Sequence, residues 1–312
     1  MTSGSSPEVA PRATTQLRAH LAAGTVSAAG CFDALSARLA EYVGFEALHL
    51  SGSGVESALL GAPDMGITTL TELTDVVARI SSATRVPLIC DIDTGFGGVH
   101  NVQRTIREMI RAGAAGVHIE DQIVPKRSPF VAGRTLLPRE QASQRVAAAV
   151  AARTDPDFVI VARTDADEIS IAELIERSNL YLEAGADCAF PMLTKYKGEM
   201  IGSFPLAEQL EVCETLTREI AGPVMMMAGF ASDNMPNTQQ MADTGAAIVI
   251  LPIAALSAAS NAMLSVLREL HEKGTVTDYF RAHPENEELA MGGIYNLVGL
   301  PAYLDVERRF GV

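Results

Sequence analysis

The chain has 312 residues, 48 % of them hydrophobic and 20 % charged, with a net charge of −14. That balance suits a globular protein rather than a disordered one, and so acidic a surface repels phosphate backbones, which excludes nucleic acid as a partner. No apolar run reaches the roughly 18–20 residues that span a bilayer, residues 1–15 lack the apolar core of a signal peptide, and Cys31, Cys90, Cys188 and Cys213 have no metal-binding spacing. A cytoplasmic protein with reduced, packed thiols and no membrane contact is therefore expected. Residues 1–13 read as a disordered tail, and 14–312 as one domain.

In chain order, short β-branched runs recur at Val26–Cys31, Ala47–Leu50, Val86–Cys90, Gly116–Ile119, Phe158–Ala162, Cys188–Pro191, Pro223–Met227 and Ala246–Leu251. Each is the length of a buried parallel strand. Helical periodicity fills the gaps, as in Leu70–Ser82, Val102–Ala112, Arg139–Ala152, Ile171–Ala184 and Ala207–Ala221. The junctions YVGFEALHL, RAGAAGVHI, EAGADCAFP and DTGAAIVIL place Gly44, Gly113, Gly185 and Gly245 where a helix C-cap needs positive φ. Eight strand–helix units predict a (β/α)₈ TIM barrel. A doubly wound open sheet is the alternative, weakened because no GxGxxG follows a first strand. Beyond the eighth strand, helix Ile253–His271 and the apolar tail GGIYNLVGLPAYLDVERRF are expected to pack on the barrel or on a neighbouring subunit.

Barrel chemistry sits at the C-terminal ends of strands. Ser51 and Ser53, Asp91 and Asp93, Glu120 and Asp121, and Arg163 follow four consecutive strands, where one mouth would collect them. Asp91 and Asp93 project the same way, since strand side chains alternate. Two such carboxylates repel unless a cation joins them, and oxygen ligands suit Mg²⁺; a solvated turn is the alternative. The stretch from Asp121 to Pro138 is long for a βα loop and reads as a lid that brings Lys126 over an anionic substrate. The Ser51-Gly52-Ser53-Gly54 turn offers backbone N–H groups to a carboxylate. Arg163 is costly at a barrel mouth without an anion and can grip a carboxylate through two hydrogen bonds, a salt bridge to Asp91 or Glu120 being the alternative. Asp64, alone, reads as a turn residue.

SGSGVESALLGAPDMGITTLTE, CDIDTGFGG, GVHIEDQIVPKR and VARTDADE, in that order, resemble the isocitrate lyase / phosphoenolpyruvate mutase superfamily on its 2-methylisocitrate lyase side. The resemblance runs from about Gly30 to the C-terminus. It implies a barrel whose last helix swaps between subunits, in a homotetramer built as a dimer of dimers. It implies Mg²⁺, with Mn²⁺ as the alternative ion, held through Asp91 with Asp93, Asp64 and Glu120 contributing directly or through water. It places a small carboxylate substrate near Ser51, Gly52, Ser53, Asp91 and Arg163, with Lys126, Arg163 and Glu120 as the catalytic groups. The departures are as informative. Ser128 stands where lyases of this family carry a lid cysteine as general acid/base, and a serine is a poor proton donor to an enolate. Met192 replaces the glutamate of an FPE motif, and an expected asparagine is replaced within Met225–Met227. The mutase EDK is Glu120-Asp121-Gln122 here.

An intact metal side with a lost proton donor favours a Mg²⁺-dependent lyase or decarboxylase that breaks a C–C bond of a small 2-oxo or 2-hydroxy acid through an enolate. Oxaloacetate decarboxylation and retro-aldol cleavage of a hydrophobic 2-hydroxy acid both fit. P–C bond chemistry and a non-catalytic binding descendant are the alternatives.

Overall fold

Eight short parallel strands form the centre of the structure, a computed structural model that describes residues 11–229, 232–289 and 291–311. They are β1 (Val26–Cys31), β2 (Ala47–Leu50), β3 (Leu88–Asp91), β4 (Gly116–Glu120), β5 (Val159–Thr164), β6 (Cys188–Pro191), β7 (Met225–Met227) and β8 (Ile248–Leu251). Each pairs in parallel with its sequence neighbour, and β8 pairs with β1. A single parallel bridge from Ala189 to Val224 joins β6 to β7 and completes the ring. The (β/α)₈ barrel expected from the repeat is therefore the observed architecture, and helices cover its outer wall.

The four junction glycines have φ of 98, 96, 101 and 92° at Gly44, Gly113, Gly185 and Gly245. These are left-handed values that a side chain disfavours, and each follows a helix and turns the chain into the next strand. Four strands start one or two residues later than their apolar runs suggest, two of them after Pro87 and Pro223, which lack the N–H a ladder requires. Three end later: Asp91, Glu120 and Arg163 lie inside the ladder, with Asp91 opposite His118, Glu120 opposite Arg163, and Arg163 opposite Phe190. These three polar groups thus stand on rigid strands rather than on loops.

Alternation then divides the side chains. Val26, Ala28, Ala47, Ile89, Val159, Val161, Cys188, Phe190, Met225, Ile248 and Ile250 form one buried cluster inside the ring. Their neighbours Leu48, Leu50, Leu88, Cys90, Val117, Ile119 and Ile160 pack outward against the helices. The helix Ala13–Ala23 was not foreseen. Its Leu17 is fully buried in the inner cluster, plugging the end of the barrel away from the strand C-termini. Of the tail expected over residues 1–13, residues 1–10 lie outside the described ones, and Arg12 pairs with Asp155 and Asp157.

The helix after β8, Ala254–Lys273, has no buried residue and exposes Met263, Leu264, Leu267 and Leu270. The helices Met291–Leu297 and Leu300–Phe310 beyond it leave Tyr295, Tyr303 and Phe310 exposed. Among the described residues no helix is long and apolar enough to cross a membrane.

Candidate active site

On β3 the inward position after Ile89 is Asp91, and Asp93 stands in the turn just beyond the strand. Asp93 has φ of 48°, an uncommon value for a residue with a side chain. Its N–H donates to Asp91 Oδ1 at 3.0 Å, which holds the two carboxylates side by side. They face Gly52, whose N–H points at Asp91 Oδ2 from 3.4 Å. A β-carbon on Gly52 would lie 3.1 Å from Asp91 Oδ2 and 3.2 Å from Asp93 Oδ1, so glycine leaves a cradle between turn and carboxylates that any side chain would fill.

The long loop after β4 lies down over this cradle. Gln122 folds it, donating to the carbonyl of Arg127 and accepting from its N–H, both at 2.9 Å. Lys126 is thereby buried, and its ammonium pairs with Asp64 and, at 2.8 Å, with Asp93. Asp64, read alone as a turn residue, belongs to the site. Burial would lower the Lys126 pKa, but Asp93, Glu120, Asp91 and Asp64 outweigh it and keep the amine charged. Burial and the adjacent Asp91 push Asp93 up to about 7. Burial pushes the Asp91 carboxyl up as well, yet His118, Arg163 and Lys126 together hold it below the ordinary carboxylate range. Of the crowded acids, Asp91 stays ionised most firmly.

Arg163, on β5, is fixed by the buried Asp165, to which it donates from Nε at 3.1 Å and Nη2 at 2.9 Å. Asp165 also accepts from Arg134 Nη1 at 2.8 Å, and Arg134 reaches Asp167 and Glu168. Arg134 belongs to the long loop, so one carboxylate ties the loop to the arginine. Arg163 Nη2 stands 3.3 Å from Glu120 Oε2, off the line of a hydrogen bond. Both Glu120 oxygens are buried without a hydrogen bond, and burial pushes its pKa up despite the nearby guanidinium. Arg163 is thus paired within the fold, but chiefly with Asp165 rather than with the Asp91 or Glu120 of the salt-bridge alternative, which stand 3.9 and 3.3 Å away. Asp165 and Arg134 went unseen as site residues because their roles depend on contacts across the fold.

Two further site groups were missed. His49 and His118 occupy the inward positions two residues before Ser51 and Glu120. Their rings stack with centroids 5.1 Å apart, Nε2 to Nε2 at 2.9 Å, and His118 Nδ1 is 3.5 Å from Asp91 Oδ1. Burial lowers both pKa values, to about 3 and about 4, so both rings are neutral at neutral pH. Strand alternation counted back from Ser51 and Glu120 was the available signal.

The other half of the mouth is apolar. One cavity of about 460 Å³ runs from His49, Ser51, Ser53, Asp91 and Arg163 to Met192, Met227, Ile250 and Ile253. Ser128, Pro129 and Phe130 of the long loop line it too, and no base is hydrogen-bonded to the Ser128 hydroxyl among the described residues. Met192 and Met227 do face the pocket, as the departures from the family pattern implied.

The donors gathered at the cradle are all carboxylate oxygens, the chemistry of a hard divalent cation, and the unsatisfied Glu120 oxygens face the same region. The arrangement is a two-carboxylate cradle closed by Lys126. It is not a converged set of the four expected ligands Asp64, Asp91, Asp93 and Glu120: among the described residues no three side chains of His, Cys, Asp or Glu meet as a metal-ready group.

Comparison with known proteins agrees in fold and length. Residues 17–271 match the family described as phosphoenolpyruvate phosphomutase. A 2-methylisocitrate lyase of Aeropyrum pernix is 39 % identical over 286 residues, covering 91 % of this chain and 85 % of its own. A solved oxaloacetate acetylhydrolase, in complex with 3,3-difluorooxalacetate, superposes with a TM-score of 0.84 at 29 % identity, covering 96 % and 97 % of the two chains. A phosphonopyruvate hydrolase solved with oxalate and Mg²⁺ gives 0.79 at 28 % identity, covering 97 % and 100 %.

Proposed function

Since the chain belongs to the phosphoenolpyruvate phosphomutase family, whose relatives include carbon–carbon lyases, we propose that it is a Mg²⁺-dependent lyase or decarboxylase. Its substrate is a small 2-oxo or 2-hydroxy acid, cleaved through an enolate. The observation that carries this reading is Glu120, a carboxylate sealed from solvent with neither oxygen hydrogen-bonded, at the mouth that also holds Asp91, Asp93, Lys126 and Arg163. An unsatisfied buried carboxylate is costly unless a cation, an ordered water or a proton meets it.

Asp91 would hold Mg²⁺, with Asp93, Asp64 and Glu120 helping directly or through water. Bound there, the ion supplies Lewis-acid polarisation of the substrate's 2-oxygen. The chain's own groups do the rest. Backbone N–H groups at Ser51, Gly52 and Ser53 orient the substrate carboxylate, and Arg163 grips it from the opposite strand. Lys126 and Arg163 place two buried cations where enolate charge develops, and electrostatic stabilisation of that kind is commonly the largest catalytic contribution. The loop carrying Lys126 lies over the cradle, and its Ser128, Pro129 and Phe130 line the mouth beside it. No thiol stands ready to protonate the enolate, which favours decarboxylation, where CO₂ leaves and a water molecule gives its proton to the enolate carbon; retro-aldol cleavage also needs a base to take the 2-hydroxyl proton before water protonates the enolate.

We further propose that the exposed apolar helices after β8 pack on a second copy of the chain in a dimer of dimers. Light scattering at micromolar concentration should give the mass of four chains, and a monomer would refute this. The catalytic reading is tested by incubating the protein with a panel of 2-oxo and 2-hydroxy acids, with and without Mg²⁺, and following products by proton NMR. Ion-dependent C–C cleavage is expected. Turnover confined to P–C substrates, or none with any acid, would overturn it.

A further inference from the structure

The cavity is divided by strand. The lining side chains on β2 to β5 and at their ends are His49, Ser51, Asp91, His118 and Arg163, all polar, whereas on β6 to β8 and at their ends they are Phe190, Met192, Met227 and Ile250. Phe190 marks the boundary: its ring lies 5.8 Å from the Arg163 guanidinium and meets His118 edge-on at 5.5 Å. Beyond Phe190 the wall continues through Ile201, and Met235 closes the far side. Met235 is pressed against two glycines, so that a β-carbon on Gly202 would fall 2.8 Å from its sulfur and one on Gly229 2.1 Å from its Cβ.

A head group of 2-oxo-acid size does not fill this space. At the roughly 30 Å³ that a water molecule occupies in the liquid, a cavity of about 460 Å³ has room for on the order of fifteen non-hydrogen atoms. Fewer than half are needed for the carboxylate, the 2-oxygen and the carbon that is cleaved. The remainder faces thioethers and aliphatic carbon, which offer a polar substituent nothing to bond and an apolar one a flexible, adaptable wall.

We propose that the substrate is an amphipathic 2-oxo or 2-hydroxy acid, its head on the β2–β5 half and an aliphatic tail of at least four carbons on the β6–β8 half. This rests on the lyase reading for the head and on the cavity for the tail. Its test needs no turnover. N-alkyl oxamates from methyl to octyl carry a 2-oxo-acid head and a tail of controlled length, and their affinities can be measured by calorimetry in Mg²⁺ buffer. Affinity should rise about fourfold per added methylene, the gain for moving one from water into an apolar site, until the tail meets the far wall. Met227→Asn, which places an amide along the tail, should reduce that increment. If the short oxamates bind and affinity is flat or falls beyond methyl, the tail proposal is wrong while the head reading stands. If no oxamate of any length binds, the head reading fails and the tail proposal falls with it. Because the wild-type series decides, poor folding of the variant would not protect the proposal.

Discussion

Gly52→Ala isolates the carboxylate cradle with little other disturbance. Gly52 is the first residue of a short helix and its φ is not left-handed, so alanine suits the backbone. The added methyl would stand 3.1 Å from Asp91 Oδ2 and 3.2 Å from Asp93 Oδ1, where ordinary contact begins at 3.4 Å. Each carboxylate must then retreat by two to three tenths of an ångström. That is a small packing strain, and stability without metal should change by less than about 1 kcal/mol, within the range of ordinary substitutions. For a cation site it is large, because ligand distances are tolerated only within about 0.2 Å. In differential scanning calorimetry the wild-type protein at a hundredfold excess of Mg²⁺ over its dissociation constant should gain about 2.7 kcal/mol. Gly52→Ala should lose most of that gain, and Mg²⁺-dependent turnover with it, while unfolding in chelator at nearly the wild-type temperature. Wild-type metal-linked stabilisation in Gly52→Ala would refute the reasoning, because the ion would then lie elsewhere.

Ser128→Ala should change turnover by less than about tenfold, since no base is paired with the hydroxyl; a loss of the roughly 10²–10⁴-fold typical of general acid–base groups would identify Ser128 as the proton donor. Asp165→Asn leaves Arg163 and Arg134 buried with one charge fewer, and breaking a buried ion pair should lower stability by about 3–5 kcal/mol in urea unfolding and raise KM for the acid substrate, so an unchanged midpoint would contradict the role given to Asp165. His49 has a folded pKa of about 3 against an ordinary value of 6.5. Only the unfolded chain takes up its proton between those values, so its contribution is complete above about pH 6.5 and drains away as pH falls toward 3, by about 1.4 kcal/mol per pH unit. Unfolding in chelator at several pH values should therefore show a shallower acid loss for His49→Gln than for wild type, and equal slopes would mean that His49 is protonated in the folded state.

What the sequence determined by itself is local and periodic. A strand's length, the two-residue alternation of its side chains and the left-handed glycine after a helix depend on a few neighbouring residues, and all were legible in Val26–Cys31, Ala47–Leu50 and Gly44. Ser51, Asp91, Glu120 and Arg163 could be sent to one mouth because a barrel places every strand end on the same rim. The partners at that rim are another matter. His49 meets His118 across 69 residues, and Lys126 meets Asp64 across 62. Arg163 is held chiefly by Asp165, not by the Asp91 or Glu120 that the salt-bridge alternative named. Such pairings depend on ladder register and on how a long loop lies down, and both follow from the free energy of the whole chain. No window of sequence contains the two sides of a contact that only closure of the barrel brings together.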